Sequence, residues 1–173
     1  MHVALLQPSD APRYRLLMLE AYELATDAFT STAEERVAEP ESFWVRRIAD
    51  PSGMSMAFGA FAGQELVGTV ALEFSAKPKT RHKGHVIGMY VSPQARGTGA
   101  GRALIEACIQ YVTGKEGILV LNLTVTEGNV PAIGLYQSAG FVAFGTEPMA
   151  ISTPDGFRAK VHMQRVIARG DVA

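Results

Sequence analysis

The chain has 173 residues, 47% of them hydrophobic, and a formal net charge of -1. These values suit one domain with one substantial core and exclude a disordered chain. No lysine- or arginine-rich run stands out, so the footprint of a nucleic-acid binder is missing, while a small basic site for one anionic ligand stays compatible with the composition. The single cysteine, Cys108, excludes an internal disulfide framework and a multi-cysteine metal site. It falls among apolar residues of a helical segment and reads as a core thiol. The first residues lack a basic segment leading into a long apolar one, and no apolar run approaches the ~20 residues that span a bilayer. The expectation is a cytoplasmic domain over residues 1–173 with no membrane or nucleic-acid partner and no metal.

Along the chain, residues 3–6 suit a short strand. Residues 11–28 carry Leu16, Leu17, Leu19, Leu24 and Ala28 with charges between them, the spacing of an amphipathic helix. Pro40 opens a second helix through Phe43, Trp44, Val45 and Ile48, stopped by Pro51 and Gly53. Strands 56–61 and 66–74 flank a turn at Gly63-Gln64 and read as a hairpin. The segment 76–84, with Lys77, Lys79, Arg81, His82 and Lys83, reads as an exposed loop. A strand over 85–91, a helix over 99–112 and a strand over 118–125 follow, the last apolar enough to suit burial on both faces. A helix over 129–139 ends at Gly140, and strands 141–149 and 158–166 join across Pro154-Asp155-Gly156. The order β-α-α-β-β-β-α-β-α-β-β contains no repeat and no linker. It describes one mixed α/β domain, in which strands 85–91 and 118–125 should be parallel, because a helix connects them.

The most informative segment is Val91-Ser92-Pro93-Gln94-Ala95-Arg96-Gly97-Thr98-Gly99-Ala100-Gly101-Arg102, between a strand and a helix. Glycines let the backbone approach a ligand closely. The free N–H groups at the helix start, with the helix dipole behind them, suit a phosphate or pyrophosphate, and Arg96 and Arg102 add charge. A dinucleotide fingerprint fails here, because the third glycine would fall at Arg102. A Walker loop fails too, because no lysine follows in register.

Arg96-x-x-Gly99-x-Gly101 resembles the pyrophosphate loop of the GNAT acetyltransferase superfamily, whose pattern is Gln/Arg-x-x-Gly-x-Gly/Ala. Downstream, Asn129-Val130-Pro131-Ala132-Ile133-Gly134-Leu135-Tyr136-Gln137-Ser138-Ala139-Gly140-Phe141 resembles the closing motif of that superfamily, N-x-x-A-x-x-L-Y-x-x-x-G-F. The resemblance implies an α+β fold with a mostly antiparallel six- to seven-stranded sheet, about four helices and a splayed parallel pair. It implies acetyl-CoA as co-substrate, held by Met89, Tyr90 and Val91 through their backbone, by Arg96, Gly97, Thr98, Gly99, Ala100, Gly101 and Arg102 at the pyrophosphate, and by Asn129, Ala132 and Tyr136 near the pantetheine and sulfur. A homodimer is a further expectation, drawn from the resemblance and from the apolar C-terminal strands.

The implied reaction moves an acetyl group to a primary amine, with a small molecule favoured as acceptor. Holding two substrates together supplies about 7–11 kcal/mol. That exceeds what one acid–base residue gives. Tyr136 is the expected general acid for the leaving thiolate. The family position for a glutamate on the fifth strand is Thr124, which cannot take a proton. The alternative position on the fourth strand is His85, the expected base; it alternates in phase with Ile87, Met89 and Val91. Glu73 and Glu127 are weaker alternatives. Phe29, Phe43, Trp44 and Phe61 read either as an acceptor wall or as core, and the Lys77–Lys83 cluster either as a contact for the CoA 3′-phosphate or as a solvated loop. The competing reading is a module that binds acetyl-CoA without turning it over.

Overall fold

The computed structural model describes residues 1–167, so 168–173 of the expected domain lie outside the described residues. In chain order the elements are β1 (His2–Leu5), α1 (Ala11–Leu24), α2 (Ala33–Val37), α3 (Glu41–Ala49), β2 (Ser55–Ala62), β3 (Glu65–Phe74), β4 (Lys83–Val91), α4 (Ala100–Thr113), β5 (Val120–Thr126), α5 (Val130–Ser138), β6 (Val142–Thr153) and β7 (Gly156–Val166). The strands form one sheet in the order β1-β2-β3-β4-β5-β7-β6. Every pairing is antiparallel except β4–β5.

Among the described residues there are five α-helices rather than about four. The extra one, α2, is a single short stretch set by a capping box. The Thr32 hydroxyl accepts from the Glu35 amide at 3.2 Å, and the Glu35 carboxylate accepts from the Thr32 amide at 2.8 Å. The expected helix over 11–28 stops at Leu24, and residues 26–28 turn into a separate 3₁₀ stretch. Strand β5 is not buried on both faces. Leu121, Leu123 and Val125 are buried while Thr124 is exposed, because α4 and α5 cover one side and the other side opens into a cleft.

Two apolar clusters sandwich the sheet. Leu104, Ile105, Cys108, Leu121, Phe141 and Met163 pack on the α4 side. Burial pushes the Cys108 thiol far up, as suits a core cysteine. Tyr14, Met18, Trp44, Ile48 and Ala71 pack beneath α1 and α3 on the other face. Among the described residues no helix is long and apolar enough to cross a membrane.

Two irregularities in β4 matter most. Its parallel pairing with β5 runs only through Lys83–Val120, Gly84–Leu121 and His85–Asn122, after which the strands part. Gly84 allows their approach, since a Cβ there would stand 2.9 Å from Leu121 Cδ2. The second is a bulge opposite β3, between the pairs Ala71–Ile87 and Thr69–Tyr90, with Gly88 at φ 59°. The extra residue reverses the alternation of side chains. Val86 therefore faces the α4 cluster and Tyr90 faces the α1 cluster, although they are four residues apart.

Leu104 is fully buried where α4 crosses β3. Its Cδ1 fills the space above Gly68, 3.2 Å from where a Cβ on that glycine would stand. Leu104→Ala is expected to cost about 2–5 kcal/mol of stability. Urea unfolding should show this as a lower midpoint with an unchanged slope.

Candidate active site

The segment from β4 to α4 is built to leave backbone donors free. Ser92 ties its start to β3, donating to Val67 O at 2.9 Å, and residues 93–95 form a 3₁₀ turn. The Thr98 hydroxyl donates to Ala95 O at 2.6 Å and locks the loop from inside. Gly97 and Gly99 take φ of 75° and 88°, which side chains resist, with open space where a Cβ would stand. The first bond of α4 runs from Ala103 N to Gly99 O, so no amide from Gly97 to Arg102 donates to a backbone carbonyl among the described residues. These donors sit at the positive end of a fourteen-residue helix, an arrangement that binds anions. Arg96 is fixed beside them by a bond from Nε to Val91 O at 3.2 Å. Arg102 meets Glu106 at 3.2 Å, but both side chains are 63% exposed, so the pair contributes little and is free to rearrange around a phosphate.

A cleft of about 630 Å³ runs from this loop between β4 and α5. Met89, Tyr90, Val91, Arg96, Gly97, Gly99, Ala100, Gly101, Arg102, Asn129 and Ala132 all line it, as the sequence suggested. Thr98 does not line it and acts instead as the internal lock. Gly101 points between the walls, where a Cβ would stand 3.3 Å from Leu135 Cδ2 and 3.5 Å from Met89 Cε. The free donors, the open glycines and the two arginines fit the pyrophosphate of a CoA. The unpaired edge of β4 beyond His85 fits the amides of its pantetheine arm.

A second chamber of about 250 Å³ adjoins the first, and Ala28, Phe29, Met89, Asn129, Ala132 and Leu135 line both. Tyr136 lines this second chamber. Its ring is buried and packs edge-on to Phe141, with centroids 6.0 Å apart, and its hydroxyl has no partner among the described residues. Burial, with a smaller push from Cys108, raises its pKa far above the usual phenol value, so it stays protonated. Asn129 caps α5, its Oδ1 accepting from Ala132 N at 3.3 Å. Thr124 and Thr126 supply hydroxyls to the wall, although Thr126 Oγ1 already donates to Asp27 O at 2.5 Å.

His85 takes no place in either wall. It is exposed on β4, in register with Glu73 on β3 and Asn122 on β5. The bulge at Gly88 breaks the phase that would have joined His85 and Ile87 to Met89 and Val91. Glu73 pairs with Arg47 at 3.5 Å, and neither it nor Glu127 lines a chamber. Among the described residues no Asp, Glu or His lines either chamber. Of the four aromatics, Phe29 lines both chambers, whereas Trp44 and Phe61 belong to the core and Phe43 packs against it. None of the Lys77–Lys83 cluster reaches the cleft. Sequence reasoning missed Tyr22, Arg47 and Lys160, which all line the second chamber. Lys160 had one visible trace, its place in the alternating polar series Arg158, Lys160, His162, Gln164. Among the described residues no group of three or more His, Cys, Asp or Glu is placed to hold a metal.

A splayed parallel pair, with a donor-rich loop at its mouth, defines an acyl-CoA-binding fold of acetyltransferase type. The model of the Acetyltransferase (GNAT) family matches residues 18–141, and the chain belongs to that family. A mycothiol acetyltransferase from Streptomyces bingchenggensis is 32% identical over 116 residues, 67% of this chain but 33% of that protein. The chain thus spans about a third of the length of that relative. A streptothricin acetyltransferase from Escherichia coli is 26% identical over 134 residues, 78% of this chain and 69% of that protein. Among solved structures, the Salmonella typhimurium protein yncA, determined with its cofactor acetyl-CoA, superposes with a TM-score of 0.81 at 17% identity, covering 100% of this chain and 97% of that one.

Gly101→Val is expected to weaken CoA binding at least about tenfold, measured by calorimetry, because the new side chain fills the cleft between Leu135 and Met89. The thermal midpoint should stay close to that of the parent protein.

Proposed function

We propose that the protein is an acetyl-CoA-dependent N-acetyltransferase whose acceptor is a primary amine of a small molecule. The observation that carries this reading is the continuity of the two chambers. One fits a CoA, the other is large enough for a small acceptor, and they share the wall formed by Met89, Asn129, Ala132 and Leu135, with Tyr136 lining the second. Two relatives are named for small molecules, mycothiol and streptothricin, which favours a small acceptor over a protein.

Bound acetyl-CoA supplies an activated thioester, so positioning is the protein's main task. The amides of residues 97–102 and the free edge of β4 hold one end of the reaction. The second chamber holds the amine in line with the first. Tyr136, kept protonated by burial, donates its phenol proton toward the departing sulfur. With no carboxylate or imidazole on the walls among the described residues, the amine arrives neutral, and the proton it loses on attack passes to water at the mouth of the cleft, from which the Tyr136 oxygen regains its own. A cytoplasmic location goes with this reading. So does a homodimer: β6 is a twelve-residue edge strand with Val142, Phe144 and Met149 exposed, an edge suited to a second copy.

The missing base favours one competing reading, a module that binds acetyl-CoA without turnover. Thiol release from acetyl-CoA, stimulated by a panel of amines, separates the two. On the enzymatic reading, kcat/KM rises tenfold per pH unit up to the pKa of the acceptor, about 10 for an alkylamine, with no plateau near 6.5. His85→Ala should leave that profile unchanged, and a plateau in the parent protein that His85→Ala abolishes would restore His85 as the base. Tyr136→Phe should keep CoA affinity and lower kcat by roughly 10- to 1000-fold. Because the Tyr136 pKa is raised, its protonated form persists through the working range, and no loss of kcat from its ionisation should appear below pH 10.

A further inference from the structure

The charges around the second chamber are one-sided. Among the described residues two cations line it, Arg47 and Lys160, and no acid does. Arg47 is already partnered, its Nη1 lying 3.5 Å from Glu73 Oε1. Lys160 is not: its ammonium has no hydrogen bond and no ion pair among the described residues. The nearest candidate is Glu147, in register with Lys160 across the β6–β7 pair, but its carboxylate turns to His162 Nε2 at 3.2 Å and stays outside the chamber. Lys160 is half-buried, and burial pulls its pKa below the ordinary lysine range, with Glu147 opposing. A half-buried ammonium with no bonded partner is costly, and an anion brought by a ligand offsets that cost. Beside it stands the Thr124 hydroxyl, on the same face of the sheet and without a partner of its own, a second donor for the same anion.

We infer that the accepted amine also carries an acid group, a carboxylate or a phosphonate, held by Lys160 and Thr124 with Arg47 reinforcing the field. This rests on the acyl-transfer reading for the amine, though not for the anion site. An acceptor with several positive charges is disfavoured by the same wall, since like charges in a partly desolvated chamber repel. The reaction then joins the neutral amine of an amino acid or aminophosphonate to acetyl through a new amide bond as the thioester C–S bond breaks, and CoA leaves as its thiol.

The test uses the full chain loaded with CoA, and calorimetry with product-like probes. These are N-acetyl-leucine and N-acetyl-phenylalanine, each as free acid and as primary amide, and N-acetyl-1-aminoethylphosphonate. At least one acid should bind about tenfold or more tighter than its matched amide. Lys160→Gln should abolish that preference, and Lys160→Arg should retain most of it. Which acids bind distinguishes carboxylate from phosphonate. Equal binding of acid and amide, no binding of any probe, or a preference that survives Lys160→Gln overturns the inference. Steady-state kinetics separates the two readings. Selective acid binding without thiol release by any amine leaves the anion site standing and removes the transferase reading. Thiol release by neutral amines as efficient as by amino acids does the reverse. A fall in kcat for neutral and acidic amines alike in Lys160→Gln would make Lys160 a proton acceptor and overturn its role as an anion holder.

Discussion

Three residue pairs hold β4 to β5, and beyond His85–Asn122 nothing does. A parallel pair needs a crossover, and here α4 provides it, packing back across β2, β3 and β4. The N-terminus of that crossover helix necessarily lies at the end of β4, beside the point where the strands have opened. The gap, the row of free amides and the positive helix end are therefore consequences of one topological choice. Had the strands stayed paired to Val91, the edge of β4 would be consumed by β5, and the amides of residues 97–102 would face a closed sheet.

What keeps the gap open is packing on its two sides. Leu121, Leu123 and Val125 hold β5 to the α4 cluster and to β7, its partner as far as Thr126. The bulge at Gly88 binds β4 to both clusters at once, Val86 and Met89 toward one, Ile87 and Tyr90 toward the other. Tyr90 is also anchored beyond the sheet, its hydroxyl donating to Glu20 on α1 at 2.9 Å, an arrangement that with burial pushes its pKa up to about 12. The cleft is thus bounded by strands fixed from behind, which suits a site whose main contribution is position.

Much of this was legible in the chain. Glycine spacing at 97–101 marked the phosphate loop, because left-handed backbone and open space are properties glycine alone offers cheaply. Asn129 and Tyr136 stood out because their segment resembles the closing motif of the GNAT superfamily. The parallel pair followed from element order. The bulge did not, because a single glycine inside a strand reads the same whether the strand is straight or broken. That one residue breaks the phase between His85 and Met89, which strict alternation would have kept. Helix α2 had its capping box in plain view at Thr32 and Glu35, but five residues offer too short a window for periodicity. The cations of the second chamber were invisible for a different reason: Arg47 and Lys160 are 113 positions apart and come to one wall only through the fold.

Asn129 spends its carbonyl oxygen on the Ala132 amide, at 3.3 Å. The amide nitrogen of that side chain makes no hydrogen bond among the described residues, and a nitrogen of this kind donates and never accepts. The position therefore offers a free donor, suited to a carbonyl, to whatever lies along the cleft. On the proposed reading a pantetheine arm presents carbonyls and N–H groups in a fixed sequence, so one donor at a helix cap favours one way round for such an arm.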